Sequence, residues 1–159
     1  MAKVFPGRYT AELREETIVF IIGMRVNHFW QFWKWWPVAI SMPRMLRKLA
    51  ADKELGLLHF YQGIGGRTTF LVQYWKSFDH LHRFAHDKDL PHLGPWRDYM
   101  KNIGNTGDVG VFHETYRVRP GDYECVYANM PLMGLPAATS HVPISKRGEG
   151  AKERLENRS

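Results

Sequence analysis

TTFLVQYWKSFDHLHRFAHDKDLPHLGPW, Thr68–Trp96, is the stretch that decides the fold. Its first eight residues alternate Leu71, Gln73, Trp75 against Phe70, Val72, Tyr74, which is the two-residue period of a strand with two different faces. Ser77 then stands where a helix N-cap is needed, with Asp79 and His80 in the first turn. The following helix carries His80, His82 and His86; Pro91 breaks it, and His92 comes next. A strand that ends in tryptophan runs into a histidine-rich helix that must fold back over it. The chemistry is expected in the layer between them.

Working outward, Thr17–Val26 (TIVFIIGMRV) is almost wholly apolar and β-branched, so it reads as a strand buried on both faces. Phe29–Ala51 reads as a helical region interrupted by Pro37 and Pro43. Leu55–Gln62 is a second strand. Gly63–Arg67 is a hairpin loop leading back into the opening stretch, because a phosphate-binding glycine loop would need a helix directly after it. Pro95–Ile103 reads as a further helical piece, Val109–Arg117 as a fourth strand and Tyr123–Ala128 as a short extra one. The order β-α-β-β-α-β predicts an α+β fold: a ferredoxin-like antiparallel sheet with helices on one face. Residues 1–16 read as an arm, 17–135 as the domain and 136–159 as a flexible, basic tail. A sheet this apolar on both sides predicts a second copy packed on its bare face, and hence a homodimer.

Composition narrows the function. The 159 residues are the length of one domain, with 44% hydrophobic residues, 14% aromatic residues and a net charge of +6. An aromatic surplus suits an apolar pocket or a subunit interface. The basic tail is what nucleic acid or an anionic membrane would attract, but on that ground neither is the expected partner. The single Cys125 rules out an intrachain disulfide and a cysteine metal cluster and fits a reducing cytoplasm. Met1–Glu16 holds no apolar run of the signal-peptide kind, and no stretch is apolar for long enough to be an integral membrane segment.

The strings QYWKSFDHLHRF, DLPHLGPWRDY, VGVFHETY and ECVYANMPLMGL resemble the dimeric α+β-barrel superfamily. Within it, they resemble the monooxygenase-like group that includes a fungal fumagillin-pathway polyketide monooxygenase. The resemblance covers roughly Thr17–Leu135. It implies a dimer, an apolar pocket in each subunit, and a hydrophobic, polyketide- or terpenoid-like substrate. It leaves the reaction open, since the superfamily also contains haem enzymes and proteins without known chemistry.

Several residues are candidates for that chemistry. Trp75 could press on a bound ring, or simply fill the core. His92, just past the helix break, is a candidate base; if haem is the cofactor, it or His86 is the axial ligand. His82 and His86 share a helix face, but a third metal ligand at matching spacing is missing, so no metal site is expected. His113 and Glu114 are adjacent on a strand and must face opposite ways. His113 is expected in the pocket, with Glu114 structural, held by an arginine such as Arg25 or kept as a raised-pKa acid. Tyr116, Trp96, Phe29 and Trp33 are the expected pocket walls. Trp30, Trp33, Trp35 and Trp36 are expected in a core or interface, with a lid or a membrane-surface foot as alternatives. Nothing surrounds Cys125 or any serine as a nucleophile motif would. The reading is a cofactor-free monooxygenase-type enzyme, the alternatives being a haem enzyme and a non-catalytic ligand-binding dimer.

Overall fold

Strand β2, Thr17–Val26, is the axis of the molecule. In the structure, a computed structural model that describes residues 2–37, 39, 46, 49, 52–86 and 105–156, β2 pairs along its length with β4 (Thr68–Trp75) on one side and β5 (Val109–Val118) on the other. Strand β3, Leu57–Gly65, completes the sheet outside β4, giving the antiparallel order β3-β4-β2-β5. Helical residues 32–37 lie between β2 and β3, and the helix Phe78–His86 follows β4. This is a ferredoxin-like α+β arrangement, as the strand and helix order predicted. Its two faces separate cleanly by register. Ile18, Phe20, Ile22, Met24, Leu71, Trp75 and His113 share the helix side; Val19, Ile21, Phe70, Val72, Tyr74, Glu114 and Tyr116 share the other.

The β3–β4 turn is Gly66-Arg67, with Gly66 at φ 58°, the left-handed conformation a tight hairpin asks of its first residue. Between Leu57 and His59 a bulge shifts the register: Leu57 pairs with Trp75, but His59 pairs with Tyr74. The extra residue carries His59 and Tyr61 to the face away from the helices. The helix Phe78–His86 begins as expected, the Ser77 Oγ accepting from the His80 backbone N–H at 3.3 Å. Ile18, Leu49, Trp75, Leu81 and Phe84 form the core beneath it. Burying side chains of this size stabilises the fold by roughly 1.5–3 kcal/mol each.

The chain ends differ from the sequence expectation. Residues Val4–Glu12, expected as an arm, form β1. This strand lies between β6 (Tyr127–Pro131) and β7 (Ser140–Pro143) in a second sheet of order β6-β1-β7. The tail expected to be flexible contains β7 and a helix at Ala151–Glu156. Two of its basic residues are structural: buried Arg147 donates to the Tyr123 Oη at 2.6 Å, and buried Arg154 donates to Glu124 at 2.8 Å and to the carbonyls of Gly148 and Glu149. Average composition hid this, because two planar guanidinium groups with many acceptors can be buried where solvated lysines cannot. The extra strand also starts later than expected, at Tyr127, not Tyr123.

The second sheet packs on the face of the first that lies away from the helices. Ala11, Leu13, Val72, Tyr74, Tyr123 and Leu135 join in one core, with Val19, Ile21, Tyr61 and Phe70 against it. That face, expected to be bare until covered by a second copy, is covered here over β4 and part of β2 by the chain's own ends. On β5, Phe112 and Tyr116 stay exposed. Phe112 lies across Gly23, where any Cβ would strike its ring.

Candidate functional site

Two of the expected site residues lie on the helix side of the sheet, at a distance from each other. Trp75 is 0% exposed; its indole N–H donates to the Gln73 Oε1 at 2.9 Å, and its ring lies 5.4 Å from that of Phe84. Its one donor is satisfied inside the core, so Trp75 is a wall, not a free hydrogen-bond donor. His113 stands opposite Ile22 and Trp75 opposite Ile18, on strands either side of β2. That register places them about 13 Å apart along the strand and about 10 Å across it. Phe20 connects them, packing on the Trp75 cluster and lying 5.7 Å from the His113 ring. His113 is exposed, while Phe20 and Ile22 beside it are half-buried. The result is an imidazole at the rim of an apolar surface.

The other candidates are dispersed. Glu114 and Tyr116 lie on the opposite face, where the Tyr116 hydroxyl donates to Glu114 at 2.6 Å; that bond raises the tyrosine's pKa. Tyr116 therefore cannot border the same surface as His113. Glu114 is exposed, so the expected buried pairing with Arg25 does not apply. Phe29 and Trp33 are exposed, beyond the end of β2. His86 is exposed, donating or accepting through Nδ1 at the His82 carbonyl, 2.8 Å away; since a carbonyl only accepts, this nitrogen carries the proton. His82 and His86 stack at 4.1 Å. Among the described residues, both rings face solvent. His92 and Trp96 lie outside the described residues. Among the described residues, no group of three or more metal-ligating side chains occurs.

Two constellations were not anticipated. Asp108, 4% exposed, accepts from the His28 Nδ1 at 2.8 Å and bonds the Lys34 ammonium. The bond from Lys34, then those from Thr106 and His28, hold its carboxyl well below the usual carboxylate range. Asp108 thereby ties the start of β5 to residues 28–34. The second constellation lies between the two sheets, where Tyr61, Tyr74 and Tyr127 meet near Cys125. Burial, above all, pushes the Tyr74 and Tyr127 phenols up. His59, drawn to the same face by the bulge, has a buried Nε2 with no hydrogen-bond partner, and burial lowers its pKa. The alternation of β4 already carried Tyr74; the bulge that brings His59 beside it left no mark in the sequence.

With the geometry in view, comparison with known proteins is informative. The Monooxygenase af470-like family profile matches residues 17–135. The chain belongs to this monooxygenase-like family. Monooxygenase af470 of Aspergillus fumigatus is 29% identical over 182 aligned positions, which take in 96% of this chain. The chain spans 61% of that relative's length. Among solved structures, an aldoxime dehydratase in complex with butyraldoxime has a TM-score of 0.50 and 15% identity, over 84% of this chain and 37% of the other. SnoaB, a cofactor-independent oxygenase from Streptomyces nogalater, has a TM-score of 0.45 and 14% identity, over 67% of this chain and 95% of its own. The dehydratase shares the fold with this member of the af470-like family. The family match spans all four strands of the first sheet and stops before β7.

Proposed function

We propose that the chain is a monooxygenase-type enzyme that oxidises a hydrophobic small molecule, polyketide- or terpenoid-like, on the helix side of the four-stranded sheet, as a homodimer. The family match over residues 17–135 carries this reading. The substrate supplies the electrons: a CH2 group made acidic by neighbouring aromatic or carbonyl groups loses a proton to a base. The resulting carbanion combines with oxygen, and the peroxide formed loses water to leave a carbonyl. One oxygen atom enters the product, and the other leaves as water with the two substrate hydrogens. The protein's part is to position the substrate and to hold the base.

His113 is the group that suits the base role. Its imidazole stands at the edge of the apolar surface made by Phe20 and Ile22 and reaches solvent, where a proton can be handed on. Removing a base of this kind slows a reaction by roughly 100-fold to 10,000-fold. Oxygen uptake across a panel of anthrone- and hydroquinone-type substrates tests the reading. The expected result is turnover by the wild type, a loss of at least about 100-fold in kcat for His113→Ala, and partial rescue by added imidazole. Tight binding without oxygen uptake by the wild type would instead mark a ligand-binding protein.

A further inference from the structure

One end of the four-stranded sheet is built unlike the rest of the molecule. Three connections meet there: the β3–β4 turn, the exit from β2 and the entry into β5. They are bonded to one another. The Val26 N–H donates to the Arg67 carbonyl at 3.0 Å, and the Asn27 and His28 N–H groups donate to the Asp108 carbonyl at 2.9 and 3.2 Å. The Asn27 side-chain amide donates to the Gly107 carbonyl at 2.9 Å, and the Arg67 guanidinium donates to the Asn27 carbonyl at 3.2 Å. On this tied base stand the most exposed aromatic residues among those described: Trp30 is 90% exposed, Phe32 62%, Trp33 60% and Trp36 55%. Ile64, on the neighbouring hairpin, is 77% exposed. Scattered single apolar side chains need no explanation, but several on one braced segment mark a contact surface.

The charges around this surface identify what it contacts. Arg25 and Arg67 are exposed at the same end, and the Arg67 guanidinium lies 5.5 Å from the Phe29 ring. The carboxylate that this segment contacts, Asp108, is buried and taken up by Lys34 and His28. Exposed indoles beside exposed guanidinium groups, with the local carboxylate withdrawn, match the boundary between an acyl layer and anionic headgroups. A second copy suits the surface poorly: a two-fold contact would gather four guanidinium groups, two from each copy, on one patch. We infer that residues 29–36 and the β3–β4 turn form a foot that docks the protein on anionic membrane surfaces, without spanning them. No helix among the described residues is long and apolar enough to cross a membrane. The inference rests on the surface alone and is independent of the proposed reaction.

Co-sedimentation of the full chain with vesicles tests it, with tryptophan emission as a second readout. The vesicles are of phosphatidylcholine alone or of roughly three parts phosphatidylcholine to one part phosphatidylserine. The expected result is binding to the mixed vesicles with a blue-shifted emission, weaker at high salt and much weaker on phosphatidylcholine alone. Arg67→Gln should weaken binding about fivefold, one basic residue's share near such a surface. Trp30→Ser/Trp33→Ser should reduce it on the order of tenfold or more, with the melting temperature unchanged because both indoles are in solvent. Absence of binding to the mixed vesicles overturns the inference. So does a Trp30→Ser/Trp33→Ser protein that keeps its vesicle binding but sediments as single chains where the wild type is dimeric, since the surface would then join copies of the chain.

Discussion

The indole of Trp75 shows how a residue that reads as functional can be held by structure. Its ring is enclosed and its N–H is bonded to Gln73, itself buried, two residues earlier on the same strand. Trp75→Phe keeps most of the volume but leaves the Gln73 carbonyl oxygen unpaired, which costs about 1–3 kcal/mol. In a Gln73→Leu background the same change should cost markedly less, and urea unfolding of the four proteins of this cycle measures the difference. His59 makes a second prediction. Burial depresses its pKa, so the folded state prefers the neutral ring. The unfolded chain then takes up a proton that the folded protein resists, so stability is full above about 6.5 and falls as pH drops below it. In His59→Leu this acid-side decline in melting temperature should flatten; an unchanged profile would remove His59 as its source. Neither the Gln73 bond nor the burial of His59 could be read from residue types, because both depend on which face a side chain takes.

At the level of strands and helices, the strong patterns were legible. The β-branched run of β2, the alternation of β4, the glycine turn before it and the Ser77 cap each specify one conformation by local chemistry. What escaped is what depends on distant partners. The bulge in β3 changes the facing of His59 and Tyr61 without altering composition. β1 looks like a polar arm because Pro6 and Gly7 interrupt it. The structure places them at a bulge, where Gly7 adopts φ 97° and its N–H donates to the Asn129 side chain at 2.9 Å. Tyr123 fastens these terminal elements together. Its hydroxyl accepts from the Leu13 N–H at 2.9 Å and from Arg147, and donates to the Ala11 carbonyl at 3.1 Å. Tyr123→Phe leaves a buried amide and a buried guanidinium short of an acceptor. The expected loss is about 2–3 kcal/mol in chemical unfolding, with the fold of the four-stranded sheet retained.

For the whole molecule, the sequence led to the right architecture by an argument that was only partly right. The face opposite the helices does need covering, and the chain covers much of it with its own second sheet. The uncovered remainder lies on β5, an edge strand carrying Phe112 and Tyr116 on that face, with Glu114 between them. If two copies associate, this strip is where they meet. Sedimentation velocity at micromolar concentration should show a dimer that Phe112→Lys/Tyr116→Lys converts to single chains without a lower melting temperature. A wild type that sediments as one chain would end the dimer reading. The candidate site was less legible than the fold. Sequence alternation separated His113 from Glu114 correctly, yet Tyr116 was grouped with His113 although the same alternation sets them on opposite faces.

The position of β1 bears on how the protein comes into being. Its partners are Tyr127–Pro131 and Ser140–Pro143, so β1 leaves the ribosome before β2 to β5 but finds its partners only after them. During synthesis β2 to β5 can close upon one another while β1 waits, unpaired, for β6 and β7. Until then Thr10 and Ala11, buried in the finished protein, are open to proteases and chaperones. A nascent chain stalled before β7 should accordingly be cut within β1 and resist cutting within β2.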